Sequence, residues 1–153
     1  MISVSSDTRL PKYSLSNNGW EPSGTSNRIS KSSVKDDNSW ATQSWSDYYD
    51  FVIKISKSLV ALGIKPGEKG SIYSYNRKEW FGCYSALQMI NSVSVAVYHT
   101  SSAPEVEWVV GNSDSKIVFV GNNPNDNDEK EKMPIHRLLS VIDKLDAVKT
   151  VVL

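Results

Sequence analysis

The sequence predicts an α/β fold in which a parallel sheet is covered by helices. Three observations carry that expectation. From Trp40 onward, stretches of helical periodicity alternate with short β-rich runs. Several of those runs are apolar on nearly every residue, as strands buried on both faces are. Capping residues, glycines and prolines punctuate the boundaries between them. The expected order is one helix, then strand–helix three times, then a last strand, the pattern of a helix-covered parallel sheet.

Each element has its own grounds. Ser44-Trp45-Ser46-Asp47 fits a capping box, and Tyr48, Val52, Ile55, Leu59 and Leu62 follow at +4/+3 spacing along one helix face. Gly63 then stands where a left-handed C′ residue is wanted, with Ile64 placed for a Schellman contact. Pro66-Gly67 is a turn pair. The run from Gly70 to Asn76 (GSIYSYN) reads as a strand. Asn76, with Glu79 three residues on, is expected to cap a second helix, which puts Arg77 in the first turn. That helix carries Trp80, Phe81, Cys83, Tyr84, Leu87 and Ile90, so little polar face remains and it is expected to be well buried.

Val93 to Tyr98 reads as an interior strand, and Ser102-Ala103-Pro104-Glu105 opens a third, short helix with proline in its first turn. Lys116 to Val120 is another strand. The run 121–132 (GNNPNDNDEKEK) is a polar connection. Helical spacing resumes from Met133 to Leu145, and Val148 to Leu153 reads as a final strand. Because the chain stops inside that strand, with no polar tail, the expectation is a piece of something longer.

Residues 1–39 differ in kind. Their Ser/Asn/Gly-rich composition shows no period of 2 or 3.6, and a flexible polar leader is expected, with residues 40–153 forming the folded part. The whole chain has 153 residues, enough to bury about 68–70% of the surface of its unfolded form. Seventeen basic residues balance seventeen acidic ones, which argues against a nucleic-acid partner. A single cysteine, Cys83, excludes an internal disulfide and a cysteine-rich zinc site. No apolar run approaches the ~20 residues of a membrane span, and the N-terminus lacks the apolar stretch of a signal peptide. The expected location is cytoplasmic.

In an open parallel sheet, ligands bind beyond the carboxyl ends of the strands. Here those ends lead into Tyr75-Asn76-Arg77, Tyr98-His99-Thr100-Ser101 and Gly121-Asn122. Arg77, His99 and Thr100 are therefore the candidate pocket-edge residues. His99 lacks an identifiable carboxylate or nucleophile partner, so no catalytic residue is assigned. His136 reads as a packing or surface residue, and Cys83 as a small core hydrophobe. The stretch from Gly63 to Ser71 has the look of a phosphate loop, but Glu68 stands where the second glycine belongs. It also precedes a strand instead of opening a helix. No cofactor or metal site is assigned to the chain.

The ordered phrases from Trp40 to Leu153 resemble the start of the large domain of AMP-forming acyl-CoA synthetases. Ser44-Trp45-Ser46-Asp47 is similar to the family's aromatic helix entry T-W/Y-x-E. The segment from Ala61 to Gly70 matches A-L-G-V-x-P-G-D-x-V, and Ser74 to Trp80 matches S-x-N-R-P-E-W. Asn91 to Thr100 corresponds to G-A-V-x-V-P-x-Y-x-T, and Val109 to Val120 to I-L-N-x-S-E-A-K-V-V-F-V. N-R-x-E-W together with Y-x-T is most like the long-chain fatty-acid branch. Two departures stand out: Asn91 replaces the usual glycine and Ala96 a frequent proline. Asparagine tolerates left-handed backbone better than most residues, so the first change suits the fold.

The resemblance implies the scaffold part of an ATP-dependent long-chain fatty acid–CoA ligase. ATP, Mg2+ and coenzyme A would serve the full-length enzyme, which would be cytoplasmic or peripheral to membranes. It places the family's Ser/Thr/Gly-rich phosphate loop, adenine segment, hinge and catalytic lysine beyond residue 153. The implied partners are the remainder of a synthetase chain and, through it, fatty acid, ATP and coenzyme A. This chain alone is expected to be inactive. The alternative is a stand-alone α/β binding or interaction domain derived from that family.

Overall fold

The structure, a computed structural model, describes residues 13–16, 19–22, 29–34, 40–121 and 133–153, with side chains from residue 43 on. The chain divides into two compact units, at Tyr49/Asp50. The first unit contains strands where the sequence analysis places none. β1 (Tyr13–Ser16) pairs antiparallel with β2 (Gly19–Pro22), and β3 (Ile29–Val34) pairs antiparallel with β4 (Trp40–Ser44). Ile29, Val34, Trp40 and Thr42 supply β-forming residues too sparse to register as a period. The rest of the expected flexible leader, and the polar connection after Gly121, lie outside the described residues.

α1 (Trp45–Ala61) opens with the expected reciprocal box. The Asp47 N–H donates to Ser44 Oγ at 3.1 Å, while the Ser44 N–H and hydroxyl donate to Asp47 Oδ2 at 3.1 and 2.5 Å. These bonds, the hydroxyl's first, hold the Asp47 carboxyl below its ordinary value. The helix closes as a Schellman motif. Gly63, at φ 83°, donates its N–H to the Val60 carbonyl, and Ile64 donates to Leu59. Gly67, at φ 81°, then completes a turn in which the Glu68 N–H donates to the Lys65 carbonyl. The lysine-proline-glycine sequence encodes that turn, since only glycine takes φ > 0 without cost.

β5 (Lys69–Ser74), β6 (Val93–Val97), β7 (Ile117–Gly121) and β8 (Thr150–Val152) form one parallel sheet in the order β6-β5-β7-β8. α2 (Lys78–Met89) and α3 (Ala103–Asn112) make the crossovers, and α4 (Pro134–Leu139) lies between β7 and β8. Across the sheet, Ala96, Ile72, Phe119 and Val152 fall in one register row. The odd-numbered side chains of β5 and the even-numbered ones of β7 face the other way. Tyr73, Val118 and Val120 pack there with Val97, Val106 and Val110, and with Leu138, Val141 and Leu145. Each such side chain, fully buried, contributes roughly 1.5–3 kcal/mol.

Two more helices end as α1 does. Asn91, at φ 59°, donates to the Gln88 carbonyl and Ser92 to that of Leu87. Asp114, at φ 53°, donates to Gly111 and Ser115 to Val110. In all three motifs the residue after the left-handed one, Ile64, Ser92 or Ser115, is buried. The serines are buried with their hydroxyls satisfied. Ser92 donates to the Lys65 carbonyl, while Ser71, Ser115 and Ser113 form a chain of hydroxyls at 2.7 and 2.8 Å. That chain fastens β5 to the α3–β7 junction.

Four expectations are corrected. The residue before α2 is Arg77, not Asn76, and its side chain makes no capping bond to the helix backbone. α2 is not well buried: Gly82, Ala86 and Leu87 face inward, whereas Phe81 is 58% and Tyr84 41% exposed. An inward stripe this narrow needs small residues. A Cβ on Gly82 would overlap the Phe51 ring and crowd Ile55, so glycine sets the close approach of α1 and α2. β6 is the edge of the four-stranded sheet, not an interior strand. Helices α2 and α3 pack against it, yet of its residues only Val97 is buried and Val93 is 48% exposed. The fourth helix breaks after Leu139 and resumes as a 3₁₀ turn, Ile142–Lys144; Leu138 in the helix, and Val141 and Leu145 on either side of the turn, still reach the core.

Candidate functional site

The strand ends that the sequence analysis singles out come together only in part. Beyond β5 and β6, the Tyr75 and His99 rings stack with centroids 3.9 Å apart and planes at 29°. The turn that holds His99 and Thr100 is fastened from two sides. Tyr73, rising from β5, donates its hydroxyl to the Ser101 carbonyl at 2.9 Å. Arg137 of α4 reaches across and donates Nη1 to the same carbonyl at 3.1 Å and to that of His99 at 3.4 Å. Burial pushes the Tyr73 phenol up, against the pull of the Arg137 charge. Thr100 stays exposed at the tip of the turn, and Tyr98 is 82% exposed. Arg137 was not legible as a functional position, because a lone arginine on a short helix gives no signal of what it reaches.

Arg77 belongs to a different feature. An apolar cleft of ≈ 490 Å³ opens on the face of the sheet opposite α3 and α4, and Arg77 lines it, whereas His99 and Thr100 do not. Its walls are one side of α1 from Phe51 on, with Leu62 just past the helix end, and the start of α2, from Glu79 to Cys83. Its floor is the ends of β5, β7 and β8, with Ile72, Phe119 and Val152 from the register row. Gly121 closes one corner: a Cβ there would overlap the Ser74 side chain and lie 3.6 Å from Arg77 Cδ. Leu62, the last position of the apolar +4/+3 series that begins in α1, is left 52% exposed.

Of the charged residues that line the cleft, Arg77 and Glu79 pair with each other and Lys54 is exposed. Arg77 Nε donates to Glu79 Oε2 at 2.7 Å. Burial raises the Glu79 carboxyl, but that bond, its own backbone N–H and the charges of Arg77 and Lys78 together hold it below its ordinary value. Cys83, the only cysteine, lines the cleft as a thiol: burial, with the Glu79 charge, pushes it up to about 11. It is no nucleophile near neutral pH. Among the described residues no group of three or more His, Cys, Asp or Glu could hold a metal ion. The junctions after β5 and β6 carry no glycine-rich loop that could cradle phosphates. Nor is any described helix long and apolar enough to cross a membrane. The arrangement can hold a turn and offer an apolar face.

Comparisons with known proteins agree with this picture. The family model of AMP-binding enzymes matches residues 24–153. Long chain acyl-CoA synthetase 5 of Arabidopsis thaliana is 35% identical over 95 residues, which cover 62% of this chain and 13% of that protein. The long-chain-fatty-acid–CoA ligase ACSBG2 of Rattus norvegicus is 27% identical over 119 residues, covering 77% of this chain and 16% of the relative. The chain therefore spans a small part of these relatives' length. Among solved structures, a fatty acyl CoA synthetase of Mycobacterium tuberculosis superposes with a TM-score of 0.62 at 19% identity, over 74% of this chain and 21% of that one. A Brucella canis acyl-CoA synthetase gives 0.63 at 16% identity, over 82% and 21%. At such identities the superpositions speak for the fold.

Proposed function

The chain belongs to the AMP-binding enzyme family, and on that premise we propose that it supplies the first parallel sheet of an ATP-dependent, AMP-forming long-chain fatty acid–CoA ligase. The observation that carries this reading is the family match over residues 24–153, with long-chain acyl-CoA synthetases among the relatives. In such an enzyme a fatty carboxylate attacks ATP to give an acyl-adenylate and pyrophosphate, and the acyl group then passes to coenzyme A. No step of that reaction is assigned to the residues of this chain. Their part is to hold a rigid sheet and the turn His99–Ser101 at its carboxyl edge, with Arg77, His99 and Thr100 as pocket-edge residues of the larger enzyme. The implied partner is the remainder of a synthetase chain, which would bring the groups for ATP, Mg2+ and coenzyme A. A cytoplasmic location, peripheral to membranes, goes with this reading. Nothing in the comparisons favours the alternative of a stand-alone binding domain.

The test is an assay of the purified 153-residue chain with ATP, magnesium, palmitate and coenzyme A, reading AMP and palmitoyl-CoA. The expected outcome is no product. Losing a single preorganised electrostatic donor already costs about 10²–10³ in rate, and here the whole phosphate cradle would have to come from elsewhere. Sustained turnover that tracks the pure chain overturns the scaffold reading.

A further inference from the structure

Surface turns are ordinarily the mobile part of a fold. The turn after β6 is held more as a core element is. It closes on itself, the Ser101 N–H donating to the Tyr98 carbonyl at 2.9 Å. Its ends are set independently: Val97 is buried before it, and Ser102 opens α3 after it, bonded to the Glu105 carboxylate. What these anchors leave free is the tilt of the peptide planes between them, and with it the direction in which Thr100 points. Two donors from distant segments fix that tilt. The Ser101 carbonyl has two lone pairs, and it accepts from the Tyr73 hydroxyl at 2.9 Å and from Arg137 Nη1 at 3.1 Å. The same Nη1 reaches the His99 carbonyl at 3.4 Å, while the His99 ring lies stacked on Tyr75.

Arg137 is not needed to seat its own helix. Pro134 and Leu138 are buried, and Leu138 joins Val141 and Leu145 in the core, so α4 is docked by its apolar side. The guanidinium instead reaches backbone carbonyls at the carboxyl edge of the sheet, where parallel sheets take their ligands. A charged donor makes a hydrogen bond roughly twice as strong as a neutral one, so Arg137 is the stronger of the two fastenings. We propose that Arg137 is a positioning residue: acting through the carbonyls of His99 and Ser101, it sets the turn so that the His99 ring and the Thr100 hydroxyl meet the substrate. The inference deepens the ligase reading above and rests on it for what the turn meets. The effect of Arg137 reaches the reaction only through the turn, where a misplacement of about 1 Å can cost on the order of 10²-fold in rate.

Two readouts test it. The first uses the 153-residue chain carrying His136→Gln, which leaves His99 as the only imidazole. Its ring protons, shielded by the Tyr75 ring, give a proton NMR signal upfield of an unstructured histidine. Arg137→Met is expected to move that signal toward the unstructured position while the far-ultraviolet circular dichroism keeps its shape. An unmoved signal in a folded Arg137→Met chain overturns the proposal. Should that variant not fold, Arg137→Lys, which keeps the charge but not the planar fork, is read in the same way. The second readout uses a chimera in which this chain replaces the matching segment of the Arabidopsis synthetase, assayed for palmitoyl-CoA. Arg137→Met is expected to lower kcat/KM by on the order of 10–10²-fold. Thr100→Val and His99→Ala should each lower it too, and each should add little to Arg137→Met, because a displaced turn no longer presents them. Losses that multiply overturn the proposal, and so do Thr100→Val and His99→Ala variants that are both as active as the parent. A folded chimera that is inactive with Arg137 in place defeats the ligase reading alone, and the His99 signal then decides for Arg137.

Discussion

Asn91 shows how much a single residue can disclose. It stands where the family has glycine, at the junction of a helix and a strand, and asparagine there pointed to left-handed backbone. At φ 59° it is the left-handed residue of a Schellman motif. Asn91→Gly is expected to be neutral or slightly stabilising, whereas Asn91→Ala, forced into the same conformation, should cost about 1–2 kcal/mol. Denaturant titration of the three proteins checks the order. Asp114 has the same geometry and gave no comparable signal, because aspartate is at home in caps, turns and on surfaces alike. Cys83, expected as a small core hydrophobe, is half-buried and lines the cleft. Since burial holds its thiol up to about 11, iodoacetamide should modify it slowly at neutral pH in the folded chain and rapidly once the chain is unfolded. Equal rates in both states would contradict the burial.

At the scale of elements, boundaries written in capping chemistry were legible and neighbours in the sheet were not. The boxes Ser44–Asp47 and Ser102–Glu105 form as their spacing suggests. Asn76 and Glu79 have the same spacing, but the helix begins one residue later and Glu79 pairs with Arg77 instead. An apolar run such as Val93–Val97 says that helices cover it, not whether a strand lies on each side, so an edge strand was read as interior. The two boxes also fix an acid dependence. Asp47 and Glu105 are held below their ordinary values of 3.8 and 4.5, the first chiefly by the Ser44 hydroxyl and the second by the Ser102 backbone N–H. A carboxyl lowered by folding contributes stability that is present above its unfolded value and lost as pH falls through its folded value. Stability should therefore decline on entering the carboxylate range from above. In the double variant Asp47→Asn, Glu105→Gln that decline should be shallower, and an unchanged slope in chemical denaturation would count against the caps.

At the scale of the molecule, the alternation of helices and apolar strands was enough to specify a parallel helix-covered sheet, because that order leaves few ways to bury both faces. Which face would be left open was beyond it. The cleft depends on α1 standing beside α2 through Gly82 and on the register that lines up Ile72, Phe119 and Val152, both of them tertiary facts. The same holds for the turn His99–Ser101, whose fastening by Tyr73 and Arg137 joins residues far apart in the chain. These observations meet in one proposal, that this sheet is a working part of a long-chain fatty acid–CoA ligase. Its most direct test is palmitoyl-CoA formation by the Arabidopsis synthetase carrying this chain in place of its matching segment, beside the same synthetase with the segment deleted. ATP-dependent synthesis with release of AMP is expected of the chimera and none of the deletion. A soluble, folded chimera that forms no palmitoyl-CoA would contradict it.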